Sequence, residues 1–213
     1  MVSGRWSDVT ACLLCQILAR QGRTGLVALS RGREEEDLIR RLEGEGCRHI
    51  VVALPEDVIL RQSIHTAVIL TRGTGEAAEG LVAECRQAVL SLDDPDGILP
   101  TPAHVGRWTY SERHNGADLI AKNLRLLPFK TQFEAVSADT ICRLSVPLAD
   151  GRGLYPGLAA ATAALALGVP LEESAAAMAK AEPVPRGMIP LPRSDCFAPA
   201  GYFEPYKERT REI

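Results

Sequence analysis

VSGRWSDVTACLLCQILARQG (residues 2–22) sets the reading of the whole chain. A short apolar start, a glycine at position 4, a polar turn and then an amphipathic run follow the order of a phosphate-binding loop feeding its helix. Val9, Cys12, Leu13, Leu14, Ile17 and Leu18 recur at helical spacing, which predicts a helix over 9–21 with Gly22 as its C-cap. Two features pull against a working phosphate site. The position expected to hold lysine is Asp8, and a C-x-x-C pair, Cys12 and Cys15, lies on the same helix. A structural zinc takes four ligands, commonly a second such pair or two spaced histidines. Cys47, Cys85, Cys142 and Cys196 stand alone, and His49, His65, His104 and His114 form no spaced pair. Cys12 and Cys15 therefore read as small apolar residues on the buried face of the helix.

Working outward, the 213 residues suit one α/β domain, or one domain with a tail, and 46% hydrophobic residues suffice for a real core. A net charge of −3 gives no basic footprint, so nucleic acid is not an expected partner. The apolar runs fall short of the roughly 20 residues of a membrane span. Trp6 and Asp8 break any secretory pattern, and six unevenly spaced cysteines fit reduced thiols, so a cytoplasmic location and no membrane partner are expected.

TGLVALS (24–30), HIVVALP (49–55), HTAVIL (65–70) and QAVLSLD (87–93) are short continuous apolar runs of the kind buried parallel strands show. REEEDLIRRLEGEG (33–46) reads as a charged surface helix, with Glu34, Glu35 and Glu36 at its start. GEAAEGLVAECR (75–86) is a second helix between strands. The alternation predicts a three-layer α/β fold with a mainly parallel sheet. VGRWTYS (105–111), ADLIAKNLRLL (117–127), KTQFEAVS (130–137) and TICRLSVPL (140–148) follow in quick succession and read as a small antiparallel set closing one edge. YPGLAAATAALALG (155–168) and PLEESAAAMAKA (170–181) are helices, the first small-sided enough to lie close on a sheet. Beyond them Pro183, Pro185, Pro190, Pro192, Pro199 and Pro205 argue against a regular element. Asp93, Asp94 and Asp96 read as a strand-ending turn, because Asp-Pro and Asp-Gly are strong turn signals.

The order of these motifs resembles the central, ATP-binding domain of the Mur ligase family. GLAAATAALALGVPLEES followed by PVPRGM is similar to that family's alanine-rich helix, Leu-Gly-Val turn and exit. ADLIAKNLRL, AVLSLDDPDG and TAVILTRGTGE resemble three of its strand motifs, and SGRWSDVTACLLCQILARQG lies where its phosphate loop stands. The match runs collinearly over about residues 2–190, with no single decisive motif. It implies a P-loop-like domain over 1–188, followed by a Pro- and aromatic-rich tail over 189–213. It also implies ancestry in ATP-driven ligation, in which a carboxylate becomes an acyl phosphate and an amine attacks it.

The resemblance also shows what is replaced. Gly4, Arg5, Ser7 and Thr10 fall in the phosphate loop, a degenerate one, with Asp8 on the lysine position and Val9 on the magnesium-binding threonine position. Like charges about 4 Å apart repel by roughly 4 kcal/mol at an effective dielectric of 20, so a carboxylate there opposes ATP. Arg72 replaces an asparagine, Glu76 and Ala77 an Asp-His pair, and Ala53 or Leu54 a magnesium-binding carboxylate. Glu84 or Arg86 stands near a modified lysine, and Arg186-Gly187 inverts the exit motif. The family's flanking N-terminal and C-terminal domains are expected to be absent. In the tail, Phe197, Tyr202, Phe203 and Tyr206 are four of the chain's eight Phe and Tyr residues, a composition suited to docking. Together these imply a non-catalytic pseudoenzyme, a scaffold or regulatory subunit with no expected cofactor, paired with itself or with a Mur-like ligase. Two other readings remain: a residual nucleotide or small-anion binder at the loop, holding ATP/Mg²⁺ if anything, or one part of a multi-chain amide ligase.

Overall fold

HIVVAL, the run predicted as a buried strand, divides its side chains by twos. Val51 and Ala53 enter one hydrophobic core, and Val52 and Leu54 enter another on the opposite face. The same alternation puts Val68 and Val89 in the first core and Ala67, Ile69, Ala88 and Leu90 in the second. A sheet buried on both sides needs helices on both sides, and this is the arrangement found.

The computed structural model describes residues 1–4, 6–28, 39–40, 42–54, 64–70, 76–94, 98–181 and 196–197. In chain order the elements are β1 (Val2–Ser3), α1 (Ser7–Leu18), β2 (Thr24–Ala28), β3 (His49–Leu54), β4 (Ile64–Ile69), α2 (Glu76–Glu84), β5 (Cys85–Ser91), β6 (Gly106–Ser111), β7 (Leu119–Leu127), β8 (Lys130–Val136), β9 (Ile141–Val146), α3 (Leu154–Ala166), α4 (Leu171–Met178) and β10 (Cys196–Phe197). Residues 39–40 and 42–44 are helical, within the predicted 33–46 helix, whose first half lies outside the described residues. The strands form one sheet in the order β10-β2-β3-β1-β4-β5-β6-β7-β8-β9. From β1 the chain first moves to one side, through β2 and β3, and then to the other through β4. The loop after β1 therefore sits at the topological switch point. α1, α3 and α4 cover the first core, while α2 and the residues at 39–44 cover the second.

Three expectations are corrected. First, the antiparallel set begins later than the sequence suggested. β6 pairs parallel with β5, and β7 pairs parallel with β6 at Tyr110↔Leu119 and Ser111↔Ile120. Among the described strands only β7–β8 and β8–β9 are antiparallel. Among the described residues of the connection, 92–94 and 98–105, none is helical, and Leu99 and Val105 fill the second core. Second, α1 starts two residues early, at Ser7, and ends at Leu18 with Ala19 as its C-cap. Tight turns follow before Gly22, whose φ of 149° suits glycine. Third, the described residues of the proline-rich tail, 196–197, form a short strand, β10, which pairs parallel with β2 at the sheet edge.

α3 packs on the sheet through a face of small side chains. Ala159, Ala160, Ala161, Ala163 and Ala164 are fully buried. At Gly157 even a Cβ has no room: it would stand 2.6 Å from Val146 Cγ2 and 3.3 Å from Phe133 Cζ. Gly157→Ala is expected to cost about 1–3 kcal/mol by overpacking. Gly80→Ala in α2, where a Cβ meets nothing within 4 Å, is expected to add about 0.5–1 kcal/mol through helix propensity. Urea denaturation of the two variants checks both signs.

Candidate functional site

Ligands of open α/β sheets bind outside the carboxyl ends of the strands at the switch point. That place is built from the end of β1 and the start of α1. Gly4 turns the chain with φ 107°, a conformation that glycine tolerates, and Trp6 follows at φ 71° as the N-cap of α1. The Ser7 N–H donates to the Gly4 carbonyl (3.1 Å) and the Thr10 N–H to the Trp6 carbonyl (3.0 Å). Trp6 offers no side-chain oxygen, and the helix has no side-chain N-cap bond. The free N–H groups of such a first turn are natural partners for an anion.

The anion found there belongs to the chain. Asp8 stands in the first turn, and its Oδ1 accepts the Val9 N–H at 2.8 Å. A carboxylate at this end is favoured by the helix dipole, by about 0.3–1 kcal/mol. Val9 is buried at 2% exposure, so the next position presents an apolar side chain to the core. Thr10, the hydroxyl that sequence reasoning put in the loop, is fully buried, and its Oγ1 has no hydrogen-bond partner. Of the four loop positions singled out, Gly4 and Ser7 line the turn, Thr10 points into the fold, and Arg5 lies outside the described residues. Cys12 and Cys15 are buried thiols on the core face of α1, as expected. Phe197 belongs to β10, while Tyr202, Phe203 and Tyr206 lie outside the described residues.

Two further carboxylates shape the same edge of the sheet. Asp93 does sit in the turn after β5, but its side chain is 2% exposed and bound: it accepts the Ser111 hydroxyl (2.6 Å) and the Glu112 N–H (2.7 Å), with His114 Nε2 3.8 Å away. Asp118 accepts both the Thr109 N–H and the Thr109 hydroxyl at 2.7 Å. These tie β5 to the end of β6 and β6 to the start of β7. Neither role is legible from the residues beyond turn composition, because the partners lie in or beside another strand. The Tyr155 hydroxyl approaches Glu112 Oε2 at 3.4 Å, and its pKa is pushed up to about 12 by burial and by the Asp93 and Glu112 carboxylates. Among the described residues no group of three or more His, Cys, Asp and Glu side chains is placed to hold a metal, and no helix is long and apolar enough to cross a membrane.

No protein-family model matches the chain, and no curated protein matches it. Solved structures do. One is a UDP-N-acetylmuramoyl-L-alanyl-D-glutamate–2,6-diaminopimelate ligase (TM-score 0.71, 17% identity, 91% of this chain and 48% of that one). Another is the MurF ligase from Thermotoga maritima in complex with ADP (TM-score 0.67, 14% identity, 87% and 48%). A third is a UDP-N-acetylmuramoylalanyl-D-glutamyl-2,6-diaminopimelate–D-alanyl-D-alanyl ligase from Acinetobacter baumannii (TM-score 0.65, 18% identity, 86% and 45%). The chain thus shares the fold of these ligases and spans a little under half of their length.

Two outcomes follow from the edge geometry. Asp93→Ala leaves the buried Ser111 hydroxyl and the Glu112 N–H without their acceptor, and about 1–3 kcal/mol of stability is expected to go in urea denaturation. For Tyr155 the sign is fixed by its raised pKa. The unfolded chain releases the phenol proton first, near pH 10, while the folded chain holds it to about 12. Stability is therefore present below pH 10 and falls between 10 and 12, and Tyr155→Phe is expected to flatten part of that slope.

Proposed function

We propose that this chain is a non-catalytic relative of the Mur ligases, a scaffold or regulatory subunit built on their ATP-binding fold. The observation that carries the reading is the Asp8 carboxylate on the Val9 N–H at the start of α1. The fold family implies MgATP at this loop, and the residues present do not fit it. A phosphate arriving at this turn meets a fixed negative charge and competes for a donor already used. A magnesium ion meets Val9, buried and without a ligand atom, and a Thr10 hydroxyl turned into the core. The first lysine of the sequence is Lys122, on β7, so the strands and helix around the loop supply none. Catalysis by this chain would need groups from elsewhere, and no step is assigned to it.

Calorimetry with ATP, ADP and Mg²⁺ tests the reading. No saturable binding at millimolar nucleotide is expected, and Asp8→Lys combined with Val9→Thr is expected to tighten ATP binding at least about tenfold, the scale of the removed repulsion. Micromolar, magnesium-dependent binding by the parent chain would overturn the proposal.

A second reading, a small-anion binder, is favoured by one feature: the glycine turn at Gly4 still opens α1 at the switch point. Sub-millimolar binding of phosphate without magnesium would favour it over the first. The scaffold role further proposes self-association or pairing with a ligase through the aromatic tail, of which Phe197 stands in β10 at the sheet edge. Light scattering should then give a larger species for the full chain than for one ending at Arg193, and monomers in both cases would count against that contact.

A further inference from the structure

β9 ends the sheet, and among the described strands none pairs with its far side. The Ser137 N–H donates to the Thr140 carbonyl at 2.9 Å, which makes these two a hydrogen-bonded pair at the head of the β8–β9 ladder. Bonded and non-bonded pairs alternate along an antiparallel ladder. Cys142, Leu144 and Val146 therefore turn their backbone groups toward β8, and Ile141, Arg143 and Ser145 turn theirs to the open side. Native edges are guarded by bulges, prolines or charges. β9 has no bulge and no proline, since its six pairs with β8 run without a register break. Its one charged residue, Arg143, reaches Glu134 at 3.2 Å on the outer face, where Ile141 is 67% exposed.

Charge decides what this edge can take. The register sets Lys122 beside Glu134 and Glu134 beside Arg143, with Arg125 opposite Gln132 and Lys130 opposite Leu127. The outer face of β7–β9 thus carries four cations around one carboxylate, in a chain whose net charge is −3. Ile120, Val136 and Ile141 make an apolar row across the same face. On the inner face Leu144 and Val146 belong to the first core, and Glu172 of α4 accepts the Thr140 hydroxyl at 3.3 Å. A second copy of the chain is a poor occupant. The two-fold antiparallel pairing that uses all three open residues sets Arg143 against Arg143 and Ile141 against Ser145, and like charges directly opposite destabilise a ladder. A strand with a carboxylate at that place gains where the second copy loses.

We infer that the β9 edge binds an extended, acidic segment of a partner protein, which joins the sheet as a further strand antiparallel to β9. The alternation of the sheet sets its chemistry. On the outer face it carries a carboxylate opposite Arg143 and an apolar residue opposite Ile141, which lengthens the row begun by Ile120 and Val136. Its intervening residues, opposite Leu144 and Cys142, lie on the side of the first core and of Glu172 and are apolar. In strand addition the main-chain bonds supply affinity and the alternate side chains supply the choice of partner. The inference rests on the scaffold reading for its choice of a protein partner. Nucleotide titrations report on the loop after β1 and peptide titrations on β9, so either can fail alone.

The test uses a doubly capped peptide, Ser-Thr-Val-Glu-Val-Ile-Ser, and its twin with Lys in place of Glu. Titrated into the full chain, the first is expected to bind saturably and at least about tenfold more tightly than the second, because the central charge changes from attraction to repulsion. Binding should slow hydrogen exchange at the Ile141, Arg143 and Ser145 amides more than at Cys142 and Leu144, which are already bonded to β8. Arg143→Glu should reverse the preference between the two peptides. Ser145→Pro removes an outward N–H, a change that edge strands tolerate, and should weaken binding of the first peptide at least about tenfold. The comparison of the two peptides on the parent chain needs no variant. No saturable binding at millimolar peptide, equal affinity for the two peptides, or undiminished binding to Ser145→Pro would overturn the inference. So would protection of the three amides in the free chain on raising its concentration, the mark of a second copy at this edge.

Discussion

Val2 and Ser3 form the only ladder described between the two halves of this sheet. On one side lie β2 and β3; on the other, β4 and all that follows it. Two residues of pairing hold little by themselves, since a strand's worth lies in the rows of side chains and backbone bonds it shares. The join is secured from above by α1, which packs on β1, β2, β3, α3 and α4 and buries Val9, Cys12, Leu13, Cys15, Ile17 and Leu18 at 2% exposure or less. α3 in turn packs against α1 and the sheet through its alanines and Gly157. At its carboxyl end β1 also fixes the loop that opens α1.

At the carboxyl edge, where a bound anion would profit from backbone N–H groups, the chain has placed its own carboxylates. Asp8 takes the Val9 N–H, Asp93 the Glu112 N–H and Asp118 the Thr109 N–H. Each is a charge-assisted bond of the stronger kind. In the proposed non-catalytic reading, these same residues oppose a bound phosphate at this edge.

Much of this was legible in the residues. The stretches at 51–54, 67–69 and 88–90 are apolar without alternation because both of their faces are buried, and the pattern reports that burial directly. The helix after Gly4, the burial of Cys12 and Cys15 and the alanine-rich α3 were equally plain. What escaped were relations between distant strands. The sequence of β6 alternates as either a parallel or an antiparallel strand would, and only its place beside β5 decides between them. The ties made by Asp93 and Asp118 depend on register, which no local pattern records. Thr10 was placed in the loop from its position alone, and the helix turned its hydroxyl inward.

The central claim is that the start of α1 carries its own anion and has no vacancy for a nucleotide. Backbone amide NMR of residues 7–10 during a MgATP titration measures that most directly. The account predicts that these four signals stay in place through millimolar nucleotide. Saturable shifts of the Ser7 to Thr10 amides, with the Val9 signal moving as its bond to Asp8 is given up, would contradict it.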